Sequence, residues 1–269
     1  MSAPSAPSPA ISLAAFDGYP LEIALDEVAA LGITVVEPAF IRGYTTFDEG
    51  TFTTAEAGRV RGLLAERGLS ARSLSAHMNL AEPDADTMLA RRIAFAEALG
   101  ATILITNAGP ASERATIQER IEASVPRLEA ATVSLALENP GHGRGDLVGR
   151  GQDGAAFVCE LDHPSVGLNL DVGNFLTYAA GLEPSLSAAR PYALHLHLKD
   201  VSGALDWRFV GLGDGLLDLQ AVSSTAGDLP AAIELPLRLT RPGRCDPVRG
   251  SEAIPLPAIR IALCRSLAA

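Results

Sequence analysis

Lysine is almost missing from this chain: Lys199 stands alone against 20 arginines in 269 residues. Tryptophan also occurs once, as Trp207, and cysteine three times, as Cys159, Cys245 and Cys264. Cysteines that are odd in number, far apart and without a C-x-x-C pair exclude a structural zinc knuckle and fit a reducing compartment, so the cytoplasm is the expected location. No apolar run reaches the roughly 18 to 20 residues that a transmembrane helix needs, which excludes such a span and predicts a soluble protein. The opening stretch MSAPSAPSPA lacks both a basic start and a sustained apolar segment. Its Ser, Ala and Pro content predicts a disordered tail over residues 1–10 rather than a secretion signal. Positive charge is the minority sign, 21 Lys+Arg against 32 Asp+Glu for a formal charge of -11. The mean field therefore repels a phosphate backbone, and neither nucleic acid nor a membrane is an expected partner.

What is present is 48% hydrophobic residues arranged in a steady rhythm. Short β-branched runs at 11–16, 34–40, 70–76, 102–107, 133–138, 166–171, 193–199 and 231–235 read as strands. Between and after them, Ala/Leu/Arg/Glu stretches of helical period cover 21–31, 54–67, 86–99, 117–130, 154–161, 183–189, 216–224 and 256–267. Gly32, Gly68 and Gly100 fall where helices should end. Eight strand-then-helix units in about this length predict a single α/β domain over 11–269, a (β/α)8 TIM barrel. A doubly wound open sheet is the runner-up, but Phe16-Asp17-Gly18-Tyr19-Pro20 after the first strand offers one glycine where a dinucleotide fingerprint needs three. The longer loops, 41–53, 140–151, 201–215 and 237–255, all leave the carboxyl ends of strands, the face on which barrel sites are built.

The last four strands share a way of ending. They read Leu-Ala-Leu-Glu138, Leu-Asn-Leu-Asp171, His195-Leu-His197-Leu-Lys199-Asp200 and Ala-Ile-Glu234. A lone carboxylate there is ordinarily a helix cap or an ion-pair partner, but four ligand types one βα unit apart can converge at the barrel mouth. Three carboxylates and an imidazole in a partly dry site call for a cation. Oxygen-rich ligation with one nitrogen suits one divalent Mn, Mg or Co, and tolerates Zn. Strand alternation puts His195 and His197 on one face, and only one need bind. His77, ending the third strand, is a substrate contact or a rim histidine; His142 and His163 read as solvated loop residues. Beside carboxylates, Lys199 stays an ammonium, which argues against a Schiff base and for pairing with Asp200 or a substrate oxygen. Arg238, Arg241, Arg244 and Arg249 form either a receiver for a phosphate or carboxylate, or a solvated loop or subunit contact. The Gly211-Leu-Gly213-Asp214-Gly215 turn is too weak a pattern to be a phosphate site, and Trp207 either walls the pocket or packs at its rim.

At these residues the chain resembles the sugar phosphate isomerase/epimerase superfamily, the xylose isomerase-like barrels that include ketose 3-epimerases, hydroxypyruvate isomerases, inosose dehydratases and endonuclease IV. The motifs are LALEN around Glu138, LNLDVGN around Asp171, HLHLKD around His197, GLGDG after it and AAIELP around Glu234. The resemblance implies that Glu138, Asp171, His197 and Glu234 bind one divalent metal and that Glu138 and Glu234 form the acid/base pair. It also implies a polyol or sugar substrate and a homo-oligomer. Asn174 stands where the family often has a histidine, and Gly203 where epimerases often have an arginine, with Arg208 a possible substitute; His77, Asn174 and Arg208 are therefore the expected substrate contacts. Asn107 and Asn174 replace histidines of the endonuclease's three-metal cluster, which argues against that activity. The function implied is isomerisation or epimerisation of a small sugar, keto-polyol or hydroxy-keto acid through a metal-stabilised enediolate. Its rivals are a metal-dependent dehydratase with His77, His142 or His195 as acid, and a non-catalytic ligand-binding barrel.

Overall fold

The computed structural model describes residues 8–141, 145–177, 181–203, 206–242 and 248–269. His142, Arg244, Cys245 and most of the expected tail lie outside them. Eight barrel positions are filled in chain order by Ala10–Ser12, Val35–Glu37, Ser70–Ala71, Ile103–Asn107, Ser134–Glu138, Val166–Asp171, Ala193–Leu198 and Ala231–Ile233. The second and third positions continue as Ala39–Phe40 and Ser73–Ala76, so each pairs with the other through both of its pieces and the ring closes. Every pairing in this sheet is parallel. Helices follow the strands at Leu21–Ala30, Thr54–Ala65, Ala85–Leu99, Arg114–Ala131, Gly151–Leu161, Leu182–Ala189, Leu219–Ala226 and Leu256–Ala268, with a short Val172–Thr177 turn leaving the sixth strand. The architecture is thus the expected TIM barrel, with boundaries shifted by a few residues. The first strand is shorter than its apolar run because the Ser12 hydroxyl accepts from the Ala14 amide and turns Leu13–Phe16 into a 3-10 helix.

Local chemistry explains the element ends. Thr53 caps Thr54–Ala65 by accepting from the Glu56 amide at 3.2 Å, and Gly100 ends Ala85–Leu99 at φ 90°. Between the sixth and seventh strands the register slips by one residue at Leu168/Asn169. Gly167 makes this possible: a Cβ there would lie 2.6 Å from Leu194 Cγ and 2.7 Å from the Tyr192 carbonyl. The slip pairs Asn169 with His195 and Asp171 with His197. A Gly167→Ala variant should lose about 1–3 kcal/mol in urea unfolding, because neither neighbour can retreat without disturbing that register.

Two of the segments expected as loops are not loops. Asp200–Ser202, Asp206–Val210, Leu239–Pro242 and Val248–Arg249 form a four-stranded antiparallel sheet, built from the excursions after the seventh and eighth barrel strands. One face buries Val201, Trp207, Phe209 and Leu239 against Ile41 and Tyr44 from the loop after the second strand. That loop is pinned in turn by Arg92, fully buried, which donates twice to Glu49 at 2.9 Å. Arg238 and Arg249 both reach Asp17, at 3.1 and 2.7 Å, and tie the insert to the first barrel unit.

Candidate metal centre

The candidate ligands come from four successive barrel positions. Glu138 and Asp171 are the last residues of the fifth and sixth strands, His197 is the penultimate residue of the seventh, and Glu234 follows the eighth directly. Cross-strand register sets Asp171 opposite His197, and His197 opposite Ala232, so a two-residue step brings Glu234 to the same face. One ligand atom from each of the four lies within 4.8 Å of the others, and all four side chains are buried.

The imidazole is oriented from behind. His197 Nδ1 faces Glu138 Oε2 at 2.8 Å and Glu234 Oε2 at 3.5 Å, while its Nε2 bonds Glu37 Oε1 at 2.8 Å. Glu37, at the end of the second strand, also accepts from Ser73 Oγ at 2.6 Å and Ser75 Oγ at 3.0 Å. With those partners it acts as the anchor that fixes the His197 tautomer, the part a carboxylate plays behind a metal-ligating histidine. Glu138 is held by Asn169 Nδ2 at 2.6 Å, and Asn169 Oδ1 meets His195 Nδ1 at 2.9 Å. Asp171 Oδ1 accepts the Asn174 amide, and the Asn139 side chain brackets the Asp171 backbone with bonds of 2.8 and 3.0 Å.

Lys199 sits inside the carboxylate group. Its Nζ is 2.5 Å from both Asp171 Oδ2 and Glu234 Oε2, between the rings of Tyr44 and Phe209. Pairing with Asp200, one of the sequence expectations, does not occur. Adjacent strand residues point to opposite faces, so Asp200 turns away and accepts the amides of Val201, Gly213, Gly215 and Leu217. The GLGDG turn is therefore wrapped around a carboxylate of the chain itself, and a Cβ on Gly215 would collide with Asp200 Oδ1 at 2.3 Å.

The electrostatics ask for positive charge. Burial pushes the Lys199 ammonium down, but Asp171 and Glu234 hold it well above its usual range. Burial likewise opposes the His197 cation, yet Glu37, Glu138 and Glu234 raise its pKa well above the ordinary 6.5. Burial lifts Asp171 to about 6 against the pull of Lys199. Glu138, despite desolvation, is held far below the carboxylate range by His77 and His197. His195 is pushed down to about 4, chiefly by burial, and is neutral. Glu234 Oε1 is buried and has no hydrogen-bond partner among the described residues. A crowded set of three carboxylates and one imidazole that draws a lysine inward fits a divalent cation of hard character, which would take the place of the proton on His197 Nδ1.

Glu37 gives this centre a signature in acid. Desolvation raises its pKa, but His197, His195 and Ser73 bring it from 4.5 to about 2. A lowered carboxylate pKa adds stability that is complete above pH 4.5 and disappears as pH falls from there toward 2, about 3 kcal/mol at 1.36 kcal/mol per pH unit. Urea unfolding of the metal-free protein between pH 6 and 3 should follow that loss, and Glu37→Gln should flatten it. The same variant should bind Mn2+ roughly 10–100-fold more weakly.

Above the centre opens a cavity of about 360 Å³, lined among others by Tyr44, His77, Asn107, Glu138, Asn174 and Arg241. His77 Nε2 lies 3.6 Å from Glu138 Oε2 and has no hydrogen-bond partner among the described residues. Asn174 also lines the cavity, with its Nδ2 donating to the Asn139 carbonyl at 2.9 Å. Arg208 stands apart. It is exposed on Asp206–Val210, on the face opposite the buried Trp207 and Phe209, and is not a lining residue. His163, expected in solvent, is half-buried and accepts the Ser165 amide through Nδ1. Sequence reading passed over Glu37, although Val-Val-Glu37 ends its strand as the other ligands do, and over Tyr44 and Asn169, for which no such mark exists.

The family model described as xylose isomerase-like TIM barrel matches residues 25–233. The chain belongs to that family. Three solved structures share the xylose isomerase-like barrel with TM-scores of 0.70. A xylose isomerase-like TIM barrel protein from Mycobacterium smegmatis in complex with magnesium is 19% identical, with 97% of this chain and 95% of that one covered. D-psicose 3-epimerase with D-tagatose from Clostridium cellulolyticum H10 is 15% identical over 97% and 98%. A probable 3-DHS dehydratase from Bacillus anthracis is 15% identical over 96% and 98%. No curated protein matches by sequence. Among the described residues no helix is long and apolar enough to cross a membrane.

Proposed function

We propose that this xylose isomerase-like barrel is a divalent-metal-dependent isomerase or epimerase that moves a proton next to the carbonyl of a small sugar, keto-polyol or hydroxy-keto acid. The observation that carries this reading is the convergence of Glu138, Asp171, His197 and Glu234 within 4.8 Å beside a cavity that Glu138 lines. A divalent ion on those four side chains, Mn, Mg or Co by hardness with Zn tolerated, would supply Lewis acidity to a neighbouring carbonyl and hydroxyl, stabilising an enediolate. Glu138, kept ionised by His77 and His197, is the group that removes the C–H proton. Glu234, three barrel positions away, returns one from the other side of the planar intermediate for epimerisation. Redelivery by Glu138 to the adjacent carbon gives aldose-ketose exchange. His77 and Asn174, on the cavity wall, orient substrate hydroxyls. The neighbouring structures include epimerases of this barrel type, which supports the reading.

The test is carbon-bound deuterium uptake from D2O by a panel of ketoses and keto acids, followed by mass spectrometry. Uptake that stops on chelation and resumes with Mn2+ is the expected outcome. Loss of water from the substrate would replace the isomerase by the dehydratase reading. A protein that binds no metal and exchanges no proton would be left as a ligand-binding barrel.

A further inference from the structure

Arg241 is a buried cation with no salt-bridge partner among the described residues. It is 3% exposed, lies on Leu239–Pro242 of the inserted sheet and pairs across that sheet with Trp207. Its Nη2 donates to Tyr44 Oη at 2.8 Å, while Nε and Nη1 are buried and have no hydrogen-bond partner among the described residues. The surroundings of Tyr44 and Trp207 are the apolar cluster of Ile41, Val201, Phe209 and Leu239. A guanidinium in such a place is costly unless an anion joins it, and its fixed N–H fork is shaped for an oxyanion. Arg241 and Tyr44 line the same cavity as Glu138 and His77.

We infer that Arg241, with Tyr44, forms a carboxylate-binding subsite, so that the substrate is an anionic hydroxy-carbonyl compound rather than a neutral sugar. The inference rests on the isomerase reading for the reacting end of the molecule and adds the group at its other end. Tyr44 accepts from Arg241, which leaves its hydroxyl proton to be donated to the incoming oxygen. A carboxylate fits better than a phosphate. Among the described residues the cavity wall offers this one uncommitted guanidinium, since Arg42 is paired with Glu49 and Glu82. A single negative charge balances Arg241, whereas a dianion would leave one charge uncompensated beside an apolar cluster.

Glucuronate, glucose and glucose 6-phosphate differ only at C6 and separate the possibilities. Trp207, the sole tryptophan, reports from the strand beside Arg241, so fluorescence titration reads binding without turnover. With and without Mn2+, the protein should bind glucuronate at least tenfold more tightly than glucose, and Arg241→Gln should bring the two within about twofold while the Mn2+ content stays unchanged. Equal affinity for glucuronate and glucose, or no binding of any of the three, overturns the subsite even if no variant folds. A preference for glucose 6-phosphate overturns the carboxylate assignment, and a glucuronate preference that survives Arg241→Gln overturns the role of Arg241. An Arg241-dependent preference without deuterium exchange would remove the isomerase reading and leave the subsite standing; exchange without the preference would do the reverse.

Discussion

Replacing Glu234 by Gln is expected to reduce turnover by roughly 10²- to 10⁴-fold, the range contributed by a positioned acid or base. The amide keeps the shape of the side chain and one oxygen for coordination but can neither accept nor return the proton. Glu138→Gln should be equally damaging. The two variants differ in a diagnostic way under the proposed roles. In Glu138→Gln, uptake of deuterium from D2O should stop along with turnover, because the first proton never leaves. In Glu234→Gln, an epimerase should still wash deuterium into recovered substrate while product formation falls. Metal content of each variant, measured by mass spectrometry of the purified protein, shows whether a lost ligand rather than a lost base is responsible. Turnover close to that of the parent in Glu234→Gln would remove it from the chemistry.

Lys199→Met should destabilise the metal-free protein by about 3–5 kcal/mol, since taking away one partner of a buried ion pair strands the others. Here two carboxylates, Asp171 and Glu234, lose an ammonium that touches both at 2.5 Å. Met fills nearly the same volume, so a missing charge is tested rather than a cavity. A bound divalent ion would supply that charge, and Mn2+ should recover more unfolding free energy in this variant than in the parent chain, through preferential binding to the folded state. Urea titrations with and without Mn2+ give both quantities. A variant as stable as the parent without metal would show that Lys199 does not hold the carboxylates together.

The barrel and its four candidate ligands were legible because both signals are local. Each strand is a short apolar run, and each ligand is the polar residue that ends it. Period-two alternation carries further than that: it places His195, His197 and Lys199 on one face and Asp200 on the other, which is how the structure arranges them. The rule of strand-ending carboxylates also marks Glu37, whose effect is felt through His197, 160 residues away. The inserted sheet was not legible. Its middle pairing joins Asp206–Val210 to Leu239–Pro242 across a helix and a barrel strand, and no short-range pattern encodes that partnership. For the same reason the buried arginine at the cavity is Arg241, brought there by a distant strand, while Arg208 beside Trp207 faces outward.

The lone lysine has a practical corollary. Because Lys199 is 1% exposed and no other lysine exists, a protease that cuts only after lysine finds no accessible bond among the described residues of the folded chain. Once the seventh strand opens, it has a single place to cut, dividing the polypeptide after residue 199. The appearance of those two fragments over time would therefore count openings of the barrel centre directly, and any ion or ligand that closes the centre should lengthen the life of the intact chain.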